Sequence, residues 1–513
     1  MKIFFLNEWG YLRWVAPSCL FLSTLLYCGC GHFKRTQSNL ANSVLRVTAT
    51  IQYPDLHRPW LKKQPFTREG LATIIEGGRL LVTADLVAHS TYIELEKPED
   101  GPKGTAVVEA IDEECDLAVL KPVDKDILNG TTPLQLSTNI CAGSKIDVLQ
   151  LEPNGTPALS SAVITTVAVM SYPAENAAYL LYRAAGSIPQ REGSFVIPAL
   201  HEDKLAGLVV RYDPRIQAAD IIPAPIIGRF LTESTKPGYS GLARAGLSWE
   251  PLRGTTLREW MGAGSDRIGV FVTSLDSEGP SEKAGLKKGD LIMKVDGKSI
   301  DGDGNYTDPT LGKITFNNLA SLGKSPGDRI NIEYFRTTGV GTGIIGTANV
   351  TLSGRNPSAE ISPSILENDS IPYMFLGGLL FQELSRPYLR EWGPNWRKDA
   401  PLNLLYLDEF QKEFPRTQKR FVILSAVLPT PETIGMENLG NSLVEKVNGR
   451  PIHCLADIAE AAKHPDKGFD RIDLEGSSGP VYLDAATLNE VENLVRERYG
   501  VPESTPKSQG LIP

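Results

Sequence analysis

Short runs of apolar and β-branched residues recur between about Ser43 and Glu233. They include SVLRVTATI, LATIIEGGRLLVT, TYIELE, TAVVEAI, LAVLKPV, KIDVLQL, SAVITTVAVM, YLLYRA, FVIPAL and LAGLVVRY. Gly, Pro, Asn and Asp separate them, and these residues punctuate turns. Many short strands with no long helical period between them predict a barrel or a sandwich. The segment APIIGRFLTES then carries apolar residues at helical spacing and predicts a closing helix.

A Pro/Gly-rich joint, TKPGYSGLA, follows this strand-rich region. Beyond it the pattern turns to mixed strands and helices over residues 241–355. A second break, SGRNPSAEISPSILENDS, precedes another mixed block over residues 371–500. No short tandem repeat is visible, but the two mixed blocks are candidates for distant copies of one module. The tail, residues 501–513, is polar.

The totals narrow the class. A chain of 513 residues is too long for one core, so about three domains are expected. The charged fraction, 22%, is ordinary for globular domains and argues against wholesale disorder. The net charge is −9 and no dense Lys/Arg run occurs, so nucleic acid is not an expected partner.

The start of the chain is distinct. Lys2 and Arg13 precede an apolar run over residues 15–27, which suits the hydrophobic region of a signal peptide. It ends in LLYCGCG, which resembles a bacterial lipoprotein cleavage site with Cys28 or Cys30 as the lipidated residue. Tyr27 is bulky for the residue before Cys28, whereas Gly29 suits the residue before Cys30. Residues 1–30 are therefore expected to be a signal peptide that directs export to the periplasm. The membrane would be reached through a lipid anchor, which holds well only with more than one acyl chain. An ordinary secretion signal or an uncleaved anchor is the alternative. Only Cys115, Cys141 and Cys454 remain beyond this region, without metal-like spacing. They are expected to be unpaired, small buried hydrophobes rather than a disulfide, and no metal or cofactor is expected.

Two motifs carry a family resemblance. GLATIIEGGRLLVTADLVAHSTYIEL resembles, without gaps, the start of the HtrA/Deg family of trypsin-like serine proteases. AIDEECDLAVLKP resembles that family's second motif, whose aspartate is Asp116 here. REGSFVIPALHEDKLAGLVV stands where the family carries its nucleophile loop. RIGVFVTSLDSEGPSEKAGLKKGDLIMKVDGKSI resembles a PDZ domain, and the last block resembles a second one. The resemblance implies a mainly β fold: a chymotrypsin-like double β-barrel over residues 43–233, then PDZ domains over residues 241–355 and 371–500.

Peptide cleavage by this route needs a serine nucleophile, a histidine base and an aspartate that orients the histidine. By the resemblance, Asp116 is in place, but Asp85 stands at the histidine position. Aspartate is a weak base at neutral pH, with an unperturbed pKa of ~3.9. Its structural alternative is an N-cap on the short helix that starts after the strand. His89 falls four residues late, and His57 lies upstream in the loop YPDLHRPW; both are expected at the surface. Ser194 matches the nucleophile position counted back from Gly207, whereas counting forward from YRAAGS gives Arg191. Ser187 is a further serine without a motif. Glu192 near the oxyanion loop would oppose developing negative charge. Losing the histidine alone costs on the order of 10⁶ in turnover. The expectation is a pseudoprotease, with an active serine endopeptidase using Ser194 and Asp116 as the alternative.

The PDZ resemblance implies binding of peptides or unfolded proteins with exposed termini, by adding a strand to an open sheet edge. In the first module the expected edge is Ile268, Gly269, Val270, Phe271 and Val272, with the helix in SEKAGL as the other wall. FLGGLLF is the candidate equivalent in the second module. The insertion after it holds Trp392 and Trp396, which could anchor a homo-oligomer or lie in the core. DGDGNYTDP has the look of a calcium loop but lacks the glutamate at its twelfth position, and reads as a turn-rich insertion.

Overall fold

The structure is a computed structural model that describes residues 40–98, 101–172, 177–189, 196–264, 266–366, 371–415 and 417–502. The fold is mainly β. Twelve strands come first: β1 Val44–Ile51, β2 Phe66–Ile75, β3 Arg79–Val82, β4 Ser90–Glu96, β5 Lys103–Asp112, β6 Leu117–Pro122, β7 Lys145–Leu151, β8 Pro157–Ser171, β9 Ala178–Ala185, β10 Ile197–His201, β11 Lys204–Asp213 and β12 Ala218–Pro223. They close two barrels with the same strand order, β1-β2-β3-β6-β5-β4 and β7-β8-β9-β12-β11-β10. Closure leaves neither sheet an open edge. The apolar positions of the β1 run face inward, with Val44, Leu45, Val47, Ala49 and Ile51 buried. Gly207 marks a tight barrel corner, because a Cβ there would lie 2.2 Å from the Ile222 carbonyl oxygen. The closing helix is Ala224–Glu233.

The first mixed block supplies β13 Leu247–Pro251, β14 Val270–Leu275, β15 Leu291–Val295, β16 Lys298–Ser299, β17 Asn305–Asp308, β18 Gly312–Thr315, β19 Arg329–Gly339 and β20 Thr342–Thr351. Its sheet runs β13-β14-β15-β19-β20. The second block supplies β21 Tyr373–Leu376, β22 Leu379–Glu383, β23 Val422–Val427, β24 Ser442–Val447, β25 Arg450–Pro451, β26 Phe469–Leu474 and β27 Val481–Asp484. Its sheet runs β21-β22-β23-β24-β26-β27. Matching β14 to β23 aligns the two orders strand for strand, and the small strands β16 and β25 fall at the same place. The two blocks are thus copies of one arrangement, and the second carries one extra strand, β21.

The first module shares a continuous core with the barrels, which includes Val270, Ile292, Tyr306 and Phe316. Arg229 on the closing helix donates to Ser325 at 3.1 Å, and Ser325 donates to Glu233 at 2.8 Å. The DGDGNYTDP stretch is a turn and hairpin: Asp301 accepts from the N–H of Asp303 and of Asn305, and β17 pairs with β18.

The second module docks on the loop between β1 and β2. The Trp60 indole donates to the Tyr499 carbonyl at 3.1 Å, and Gln382 donates to the Leu56 carbonyl at 3.1 Å. Trp396 is buried in a core with Leu56, Tyr388 and Leu404, and Trp392 packs edge-on against Tyr388. The insertion tryptophans therefore anchor a contact inside the chain. A buried ion pair, Arg386 with Asp408 at 2.8 Å, ties the insertion together.

Candidate functional site

The strand β3 runs into a one-turn helix, Ala84–Val87, whose N-cap is Thr83. No side chain of its own caps this helix, and Asp85 lies inside its first turn. The N-cap role expected for Asp85 is filled from elsewhere. Asp116 accepts the Asp85 backbone N–H at 2.9 Å, and the Ala84 N–H also bonds to it. These are the orphan donors of a helix start, satisfied by a residue 31 positions downstream. Asp116 achieves this from a left-handed backbone, φ +51°, which aspartate tolerates better than most side chains.

The Asp85 side chain turns the other way. Its carboxylate meets the Arg68 guanidinium at 2.6 Å, and Arg68 also donates to the Asp85 carbonyl. Asp85 is 48% exposed there, whereas Asp116 is buried. Burial pushes the Asp116 carboxyl up to about 7, against the pull of the two N–H groups, and the nearby Asp85 charge adds to the rise. Asp85 thus meets Asp116 through its backbone N–H, while its side chain pairs with Arg68.

The two histidines considered as a base pack against aromatic rings. His89 lies with its ring 4.9 Å from that of Tyr53. His57 is exposed but packs edge-on against Tyr388 and Trp392, so it belongs to the second module's docking surface. Ser194 and Arg191 lie outside the described residues, as do Cys28 and Cys30. The nearest described residue, Val196, lies by its backbone N against Gly70, which Leu86 also touches. Residue 196 is therefore next to the helix that carries Asp85. The three cysteines among the described residues are free: Cys115 is buried, Cys454 half-buried and Cys141 exposed. Only Cys115 fits the buried role expected for all three.

The turn before Asp116 carries a polar network that the sequence reading missed. Asp112 accepts the N–H of Glu114 and of Cys115, and also the Tyr239 hydroxyl. Glu114 reaches Tyr179 of the second barrel at 3.4 Å, Arg244 at 3.4 Å and Arg355 at 3.7 Å. Burial raises the Glu114 carboxyl above its ordinary value. One turn therefore binds both barrels and both interdomain linkers to the residue that caps the Asp85 helix. The run of acids in DEECD was the available signal.

The peptide-binding expectation needs correction. The strand that holds Val270, Phe271 and Val272 is not an edge: β14 lies between β13 and β15. Gly269 is packed inside, since a Cβ would lie 1.9 Å from the Ile292 carbonyl oxygen, and Ile268 precedes the strand. The edge strand on this side of the sheet is β13. Val272 gives its N–H to Asp290 and accepts from Gly289 on its other side. Trp249, paired opposite Val272, must then point its own N–H and C=O outward. The other wall is not Pro280–Lys283 but the helix Asn317–Ser321, where Trp249 donates to Asn317 at 2.9 Å and lies over Phe316. The alternation LSWEP after Gly246 was the signal for this strand. In the second module, FLGGLLF spans a hairpin turn, and β21 already occupies the matching edge of β22. A cleft of about 1040 Å³ between the modules includes Ser248 of β13 in its wall, and Lys412 bridges it to Asp276 at 2.8 Å.

Family models described as PDZ domain match residues 243–343 and 363–508. Protease Do-like 2, chloroplastic, from Arabidopsis thaliana is 26% identical over 476 residues, covering 91% of this chain and 75% of that protein. Protease Do-like 4, mitochondrial, from the same organism is 24% identical, covering 90% and 84%. Among solved structures, the HtrA-type protease AlgW with decapeptide is 18% identical, with a TM-score of 0.47, covering 63% of this chain and 99% of that one. A serine endoprotease from Yersinia pestis is 15% identical, with a TM-score of 0.42, covering 63% and 98%.

Proposed function

The chain belongs to the HtrA/Deg family of trypsin-like serine proteases with two PDZ domains, and from that premise we propose that it binds extended peptide segments without cutting them. The observation that carries the reading is the state of Asp116. In a serine protease this carboxylate orients an imidazole. Here it receives two backbone N–H groups, and the side chain at the histidine position pairs with Arg68.

Binding falls to the first PDZ domain. Its β13 edge is open, and backbone hydrogen bonds to an added strand supply affinity. The second PDZ domain has filled its own edge with β21 and serves as a clamp on the barrel. The chain would act as a scaffold, adaptor or chaperone-like factor for unfolded segments. The apolar run before Cys28 and Cys30 supports export to the periplasm with a lipid anchor.

The test is proteolysis of an unfolded casein-like substrate by the full chain, beside Ser194→Ala and Asp116→Asn. The expected result is no cleavage above either variant, with substrate retained in a pull-down. Cleavage that both substitutions abolish would make the chain an endopeptidase and overturn the reading.

A further inference from the structure

The strand β20, Thr342–Thr351, ends the first PDZ sheet on the side away from β13. It pairs with β19 alone, and its outward backbone groups over residues 342–351 have no backbone partner among the described residues. The helix Pro280–Lys283 lies near this strand, where Lys283, Thr351 and Leu352 share one cleft wall. The other half, Thr342 to Thr347, is open to solvent save for a half-buried Gly346.

An open edge of this length invites another strand, and proteins usually blunt such edges with charge, proline, a bulge or shortness. The second PDZ domain does so: the matching strand β27 has only four residues and ends in Asp484. β20 has ten residues, and from Thr337 through Gly354 the chain contains no charged residue and no proline. Ile344 is 54% exposed, Ile345 is 58% exposed and Val340, at the hairpin tip, is 74% exposed. Ile345 stands opposite Phe335, so it and Ile344 point to opposite faces. The strand is also thin. A Cβ at Gly343 would lie 2.3 Å from the Phe335 ring, and one at Gly346 would lie 2.6 Å from the Tyr334 ring. Rings from β19 cover both glycines, which shields the pleat on each face and leaves the edge clear.

We propose that β20 is a pairing edge for a second copy of this chain, joined antiparallel to its own β20 across a two-fold axis. Self-pairing sets each residue type against the same short segment. A charged strand would then place like charges face to face, which destabilises the pair. A neutral strand avoids that cost, and isoleucines on both faces give apolar contacts above and below the new sheet. The interface is isologous, so it closes at two copies and does not propagate. It leaves β13 free for a client.

The experiment is sedimentation of the purified full chain in detergent against Ile344→Lys/Ile345→Lys. The expected result is a wild-type particle of twice the variant's mass, with the variant still cooperatively folded because both side chains are exposed. Equal masses would overturn the proposal. Equal masses together with lost casein binding in the variant would assign the edge to a client strand instead, and also overturn it. Cysteines introduced one at a time at Thr342, Ile344 and Ile345 in a Cys141→Ser/Cys454→Ser background, each compared with that background alone, give a second reading. Oxidation should produce a chain-to-chain disulfide from at least one of them, and the absence of any cross-link would count against pairing.

Discussion

The backbone N–H of Asp85 donates to a carboxylate oxygen of Asp116 at 2.9 Å, so these two acids meet through main chain. The Asp85 carboxylate lies instead against Arg68 at 2.6 Å. Their energetic weights should differ accordingly. An exposed ion pair contributes up to about 1 kcal/mol, so Asp85→Ala should be nearly neutral in urea unfolding at pH 6. Asp116→Ala strips a buried helix start of its acceptor and should cost about 1–3 kcal/mol. Equal losses would mean that the Arg68 contact, not the cap, holds this corner.

The same carboxyl makes stability depend on pH. Burial raises Asp116 to about 7 from an ordinary 3.8. A raised folded value means that the folded state keeps a proton that the unfolded state has released. The contribution is complete below about pH 4 and is lost as pH rises through about 7. Thermal stability should therefore fall between pH 5 and pH 8, by on the order of a few kcal/mol from this group. Glu113 and Glu114 are raised by burial too, so the parent alone does not isolate it. The Asp116→Asn variant does: its melting temperature relative to the parent should rise across this interval. A constant difference would contradict the assignment.

On the open edge, Leu247 has the same parity as Trp249 and points its N–H outward. Proline is tolerated at such a position and removes one donor for an incoming strand. Leu247→Pro should weaken binding of an unfolded peptide about tenfold, in keeping with the loss of one hydrogen bond of ~1 kcal/mol or more. Fluorescence anisotropy with a labelled peptide would measure it. Gly269→Trp is unsuitable as a probe, because it would drive a ring into the Ile292 backbone and unfold the sheet.

The insertion of the second PDZ domain should behave as core. Arg386 and Asp408 are both buried and share two hydrogen bonds. Removing one partner of a buried pair leaves an uncompensated charge and costs about 3–5 kcal/mol. Asp408→Ala should show that loss in the unfolding transition of this domain. A loss below about 1 kcal/mol would mean that the insertion is peripheral.

Much of the fold was legible along the chain. The β-branched run VLRVTATI placed β1, because this signal is local. Asp85 near the start of a short helix after β3 was also legible. Its partner was not: Arg68 lies 17 residues upstream on β2, and nothing in either segment announces the pair. The Asp116 carboxylate could be placed near Asp85 by family likeness, but whether it faces a side chain or an N–H depends on backbone dihedrals.

The edge strand shows the limit most plainly. The resemblance to a PDZ domain implied a strand at Val270, Phe271 and Val272, and these residues do form one. Being an edge is a different kind of property. It depends on which other strands pair alongside, and here β13, some twenty residues upstream, takes that place. In the second module a two-glycine turn lets β21 fold back and close the corresponding edge. Side-chain chemistry along the chain decided which segments would be strands and which acid would stand at position 85. Long-range backbone pairing decided which N–H and C=O groups remain free, and therefore where this protein can take up another strand.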